Sequence, residues 1–203
     1  MDAIQGLGRL RLDVGQCGVD FLSCGGFKGL AAGFGIGFLY CSDALLPRVT
    51  PLLAGDFCTV EALTAPDVYR EDFPLEFLDN AQRFEGGSSN TLGIWLLHHA
   101  LSLLEELGTE NIEEHVLSLE RRLRSSLSGC GLDVLPGGEL SAGMVIARYP
   151  QAHFQRADNI LRENDIHLTH HPGFLRLSIA LHNTPEQMDR VAAAFHEIER
   201  MKG

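Results

Sequence analysis

Lysine is nearly missing from this 203-residue chain: of its 16 basic residues only Lys28 and Lys202 are lysines, and the rest are arginines. The bases form no cluster and the net charge is -11, which argues against a surface for nucleic acid or for an anionic membrane. Cysteine is sparse as well. Cys17, Cys24, Cys41, Cys58 and Cys130 are odd in number and scattered without a CxxC pair, so neither a disulfide framework nor a zinc knuckle is indicated, and a reducing cytoplasm fits best. Long apolar runs are missing too. The longest, residues 29–41, is too short and too rich in glycine to span a bilayer, and the N-terminus lacks a basic region followed by an apolar core. The expectation is a soluble, cytoplasmic protein with small-molecule or protein partners.

What is present suits a globular chain: 45% of residues are hydrophobic and 21% charged, enough apolar material for a substantial core. Residues 1 to about 45 are dense in glycine. There "GVDFLSC" reads as a short buried strand, "GGFKGLAAGFG" as a loop, and "IGFLYCS" as a second strand. Residues 46–87, punctuated by Pro47, Pro51, Pro66 and Pro74, show little periodicity and read as an extended connection carrying an active-site loop.

Helices follow. "SSNTLGIWLLHHALSLLEELG" is apolar on nearly every side, which predicts a helix buried between layers and closed by Gly108. The next segment sets Ile112, Val116, Leu119, Leu123 and Leu127 on one stripe, the pattern of a half-exposed helix. Beyond residue 130, "LDVLP" and "SAGMVIARYP" read as strands, "FQRADNILREN" as a helix, and "IHLTHH" with "FLRLSIALHN" as paired strands. In the last helix Thr184 is the N-cap, Pro185 the first helical residue and Gln187 the capping-box partner, with Met188, Val191, Phe195 and Ile198 on one face.

Lys28 is the residue with chemical promise. An amine held in apolar company loses proton affinity at about 1.4 kcal/mol per pKa unit, and the neutral nitrogen is a nucleophile that makes imines with carbonyls. The bland alternative is a lysine that extends its head to water from a glycine-rich hairpin. A metal site at His167, His170, His171 and His182 is disfavoured, since strand alternation turns His170 and His171 to opposite faces and no spaced carboxylate completes a set, so no metal is expected.

The stretch "MDAIQGLGRLRLDV...GVDFLSCGGFKGLAAGFGIGFLYCS", with "RFEGGSSNTLGIWLLHHAL" and "LRLSIALHNTPEQMD", resembles the class V aminotransferase family, enzymes of fold type I that use pyridoxal 5'-phosphate (PLP). The resemblance covers almost the whole chain but only the C-terminal half of the family's fold. It implies an α/β architecture: residues 1–107 as the C-terminal part of the PLP-binding large domain, with a mixed sheet and helices, then residues 108–203 as an α+β small domain. It also implies a homodimer acting on an amino-acid substrate.

The resemblance implies roles for five residues. Asp2 matches the carboxylate that pairs with the cofactor's pyridine nitrogen, Gln5 the partner of its phenolic oxygen, and Lys28 the aldimine lysine. Ser88 falls where the family has a hydroxyl that reaches the neighbouring subunit's phosphate, although it equally suits a plain helix N-cap. Arg176 matches the arginine that clamps the substrate's α-carboxylate, a task for a planar fork of donors.

Departures are visible. Where the family commonly has Ser-x-His-Lys, this chain has "GGFK", so Gly25 and Phe27 replace two phosphate-side groups while the glycines leave backbone amides available. The half that grips the phosphate and stacks on the ring is not found in residues 1–203, so the expectation is a truncated chain, a fragment of a longer product, or one half of a split protein. Desulfurases of the family need a nucleophilic cysteine shortly before the arginine motif, and "IHLTHHPGFLRLS" has none. Aminotransferase, lyase or epimerase chemistry therefore ranks first. The competing expectation is a catalytically incompetent fragment or interaction module that needs a separate N-terminal half.

Overall fold

A computed structural model describes residues 1–55, 57–64, 75–138 and 141–200. The chain divides into two compact units. One comprises residues 1–7 and 12–106, the other residues 8–11 and 107–203. Pro66, Pro74 and Lys202 lie outside the described residues.

In the first unit, a short helix α1 (Val14–Cys17) is started by Asp13, whose carboxylate accepts from the amides of Gly15 and Gln16, and is stopped by Gly18 at φ 62°. Strands β1 (Phe21–Gly25) and β2 (Gly37–Cys41) pair antiparallel from Phe21↔Cys41 to Gly25↔Gly37. On β1 the side chains alternate, with Leu22 and Cys24 buried and Phe21 and Ser23 exposed. Asp2 adds a parallel bridge to Ser23, so the sheet is mixed. The segment after β2 carries only a 3-10 turn at Leu46–Arg48, a short helix α2 (Val60–Thr64) and a second turn at Ala81–Phe84.

Helix α3 (Thr91–Leu107) departs from expectation in its burial. Gly93, Leu97 and Leu104 are buried, whereas Leu92 is 68% and Trp95 56% exposed. The helix is apolar all round, but the described chain covers it on one side only.

The second unit holds a four-stranded antiparallel sheet in the order β3-β4-β6-β5, formed by β3 (Asp133–Val134), β4 (Met144–Arg148), β5 (Thr169–His171) and β6 (Phe174–Ser178). Helix α4 (Thr109–Ser126) packs on β4, and α6 (Pro185–Arg200) packs between α4 and α5 (Phe154–Glu163). The expected stripe on α4 is the core: Ile112, Val116, Leu119, Leu123 and, just past the helix, Leu127 are all buried, each contributing about 2 kcal/mol of transfer free energy. Gly108, at φ 82°, makes the turn between α3 and α4. At the start of α6 the box closes in both directions, Gln187 N donating to Thr184 Oγ1 (3.4 Å) and Thr184 N to Gln187 Oε1 (3.1 Å).

Strand β6 ends earlier than "FLRLSIALHN" suggests. The amide of Ala180 turns to Asn183 Oδ1 (2.8 Å), which takes the chain out of the ladder. Beneath the sheet, Glu120 is buried and accepts from Arg124 Nε (2.7 Å), the hydroxyl of Ser141 and the amide of Gly143 (3.1 Å). Arg124 also donates to the carbonyls of Leu135 (2.7 Å) and Met144 (3.0 Å), so the ion pair knits α4 to the strands. Among the described residues no helix is long and apolar enough to cross a membrane.

Candidate functional site

Asp2 and Ser23 run side by side in the same direction: Ala3 N donates to Ser23 O (2.9 Å) and Ser23 N to Met1 O (3.0 Å). Chains that run parallel leave a sheet at the same edge. The turn at residues 4–9, which carries Gln5, and the turn after Gly25, which carries Lys28, therefore share the carboxyl edge, where ligands bind in open α/β sheets. The two turns touch, because a Cβ placed on Gly25 would stand 3.0 Å from Ile4 Cδ1 and 3.2 Å from the Phe27 ring. Glycine at position 25 permits that approach.

Asp2 is exposed, and its Oδ1 accepts the amide of Ile4 (3.0 Å), which holds the carboxylate on its own turn. Gln5 is half-buried. Lys28 occupies a loop latched at both ends: Gly26 N donates to Ile36 O (2.8 Å), Ala32 N to Gly26 O (2.8 Å) and Ala31 N to Lys28 O (2.9 Å). The rings of Phe27 and Phe34 stack across this loop at 4.9 Å. The Lys28 amine lies 5.9 Å from the centre of the Phe27 ring, and among the described residues no carboxylate pairs with it. Burial is only partial, so the apolar company expected around the amine takes the form of a half-buried turn bordered by an aromatic face. The amides of Phe27, Lys28 and Gly29 donate to no acceptor among the described residues.

Ser88 is exposed, two residues ahead of the residue that caps α3. That residue is Asn90, whose Oδ1 accepts the amide of Gly93 (2.9 Å) while its Nδ2 donates to Gly35 O (3.2 Å). The N-cap alternative for Ser88 is thus taken by Asn90, and the start of α3 is tied to the Lys28 loop.

Arg176 belongs to the second unit, on β6, opposite Ile146 of β4 and Thr169 of β5. It is half-buried, donates through Nη2 to Thr169 Oγ1 (3.1 Å), and leaves its Nε buried without a partner. Sequence reasoning missed its neighbour. Arg9 is 9% exposed, donates through Nη1 to Ala142 O (3.4 Å), and also has an unpartnered buried Nε. Burial first, and the positive charge of Arg176 second, lower the proton affinity of the Arg9 guanidinium. In "GLGRLRLD" nothing separates Arg9 from Arg11, which pairs with Glu110 and Glu113. The partner carbonyl of Arg9 is 133 residues away.

The histidines are dispersed: His167 faces Asp165 (3.2 Å) and His170 packs on Phe154 with ring centres 3.8 Å apart. Among the described residues no three His, Cys, Asp or Glu side chains are placed to hold a metal ion. The segment 165–173 holds no cysteine, and of the five free thiols Cys24, Cys58 and Cys130 are buried.

A mixed sheet carrying a latched lysine loop, followed by an α+β unit, is the architecture of fold type I. An apo cysteine desulfurase from Thermococcus onnurineus NA1 superposes with a TM-score of 0.82 at 24% identity, over 98% of this chain and 52% of that one. The cystine C-S lyase C-DES in complex with its product cysteine persulfide gives 0.80 at 22%, over 95% and 50%, and a variant of C-DES holds glycine covalently linked to its PLP cofactor. The profile of the aminotransferase class-V family matches residues 1–191, and the chain belongs to that family. A cysteine desulfurase from Yersinia pestis (strain Pestoides F) is 31% identical over 217 aligned residues, all of this chain and 51% of the relative. The chain thus spans about half the length of the curated relatives it matches, and those relatives are desulfurases, the chemistry that the cysteine-free segment had ranked below aminotransferase, lyase and epimerase.

Proposed function

We propose that residues 1–203 carry the lysine-bearing half of a PLP-dependent lyase that acts on an amino acid. The single observation that supports this reading is the parallel Asp2–Ser23 bridge, by which the turns that carry Gln5 and Lys28 leave the sheet at the same edge, beside Asp2. The set fits the cofactor: a carboxylate for its ring nitrogen, Gln5 for its phenolic oxygen, Lys28 for its aldehyde carbon, and free loop amides beside glycine for an anion.

PLP, when bound, withdraws the electron pair left on the substrate's α-carbon. Asp2 keeps a proton on the ring nitrogen through its carboxylate. Lys28 Nζ, next to the Phe27 ring, takes the proton from the substrate's α-carbon and returns it, a role suited to an amine that shares no carboxylate among the described residues. The Arg176 guanidinium fixes the substrate's α-carboxylate, and Ser88 supplies a hydroxyl to a phosphate, that of a neighbouring subunit in a homodimer. The desulfurase relatives favour cleavage at a C-S bond. With no thiol between Ile166 and Ser178 to accept it, the sulfur would leave with the electron pair of the broken C-S bond, take up a proton and depart as a free thiol or sulfide.

Borohydride reduction of the protein with PLP, followed by peptide mapping, tests the reading. A pyridoxyl adduct on Lys28 is expected; an unmodified Lys28 refutes it. A second reading is favoured by the exposed face of α3, where Leu92, Ile94, Trp95, Leu101 and Leu103 stand in solvent: this unit acts as an interaction module that needs a separate N-terminal half to cover it. A tight complex on mixing with such a half, without any Lys28 adduct, distinguishes it.

A further inference from the structure

Among the described residues, Arg11, Arg122, Arg124, Arg148 and Arg162 each pair with an Asp or Glu, whereas Arg9, Arg83 and Arg176 bond only to neutral oxygens and keep a buried Nε without a partner. Of these three, Arg9 and Arg176 are the pair that act on one another. Both belong to the second unit and converge on the β4–β6 pair: Arg176 is on β6, and Arg9 holds Ala142 O just ahead of β4. Each has one nitrogen buried with no acceptor, and Arg9 is more than nine-tenths buried.

Their mutual repulsion, together with burial, already weighs on the Arg9 charge. Buried cations that repel one another are stabilised by an anion, and a single carboxylate neutralises only one of them. The planar fork of arginine suits carboxylate recognition from two directions.

We infer that Arg9 and Arg176 form one two-guanidinium anion site, and that Arg9 selects an amino-acid substrate whose side chain carries a second anionic group. The inference deepens the proposed function and rests on it for the assignment of Arg176 to the substrate's α-carboxylate. Arg9 is then the specificity-determining residue. A substrate with an uncharged side chain leaves its guanidinium without a counterion, and one with a terminal acid supplies it.

Calorimetric titration of the full-length, PLP-loaded protein with succinate and with butyrate, four-carbon acids of two charges and one, tests this. Succinate binds at least about tenfold more tightly, a difference of about 1.4 kcal/mol. In Arg9→Gln that preference falls below about twofold while butyrate affinity holds; in Arg176→Gln both acids weaken. Equal affinity of the wild-type protein for the two acids, or a preference that survives Arg9→Gln, overturns the inference. A crystal structure of the wild-type protein with succinate answers without a variant. A carboxylate within hydrogen-bonding reach of Arg9 supports it, and one that reaches Arg176 alone overturns it. A Lys28 adduct without dianion preference sinks this inference only, and dianion preference without a Lys28 adduct sinks the cofactor reading only.

Discussion

Asp2 and Ser23 lie in a parallel bridge, flanked by hydrogen bonds of 2.9 and 3.0 Å, and this pairing aims the Gln5 and Lys28 turns toward one edge of the sheet. The bridge joins residues 21 positions apart in sequence. The chemistry proposed for this protein depends on it.

Replacing Lys28 separates function from folding. In the full-length enzyme Lys28→Ala lowers kcat by roughly 10² to 10⁴, the span general acid-base groups contribute. Denaturant unfolding shifts by less than about 0.5 kcal/mol, because the side chain is half-buried on a turn and forms no ion pair among the described residues. Activity equal to wild type removes Lys28 from the reaction.

Asn90 ties α3 to the lysine loop. Asn90→Ala loses the cap on Gly93 and the bond to Gly35 O, at a cost of about 1 kcal/mol, and hydrogen exchange at the Gly26 and Ala32 amides accelerates. Asn90→Asp keeps the cap acceptor and gives up only the donor to Gly35. Unchanged exchange in both variants shows that the loop is held by its own latches alone.

The Glu120 network is a buried pair whose partners cannot be solvated when one is removed. Glu120→Ala destabilises the protein by about 3 to 5 kcal/mol, read from urea midpoints, and Glu120→Gln by less because an acceptor oxygen remains for Ser141 and Gly143. Equal losses in the two variants indicate that charge, and not hydrogen bonding, is what the site needs.

Alkaline pH weakens the fold through its buried thiols. Burial, and then the charge of Asp2, push the Cys24 thiol up; burial and then Glu199 do the same to Cys130. The folded chain therefore keeps protons that the unfolded chain releases once pH passes the ordinary thiol value near 9.0. Their stabilising contribution is complete below that value and is lost as pH climbs through the raised folded values. A Cys24→Ala, Cys130→Ala double variant shows a flatter decline in denaturation midpoint over that range, and an identical slope contradicts the prediction.

Local chemistry alone determined the helices and turns of the second unit. The Thr184–Gln187 box and the Ile112 to Leu127 stripe are written in short spacings that act through bonds and faces a few residues apart. The lysine loop was legible for the same reason, since glycines at 25, 26, 33 and 35 flank it directly. Three features were decided only by tertiary structure. Lys28 is half-buried on a turn whose neighbouring ring comes from its own loop; α3 stands bare on one face because the described chain packs against the other alone; and Arg9 becomes a buried cation by reaching a carbonyl 133 residues away. Burial and like-charge proximity are sums over the whole fold, and no window of sequence contains them.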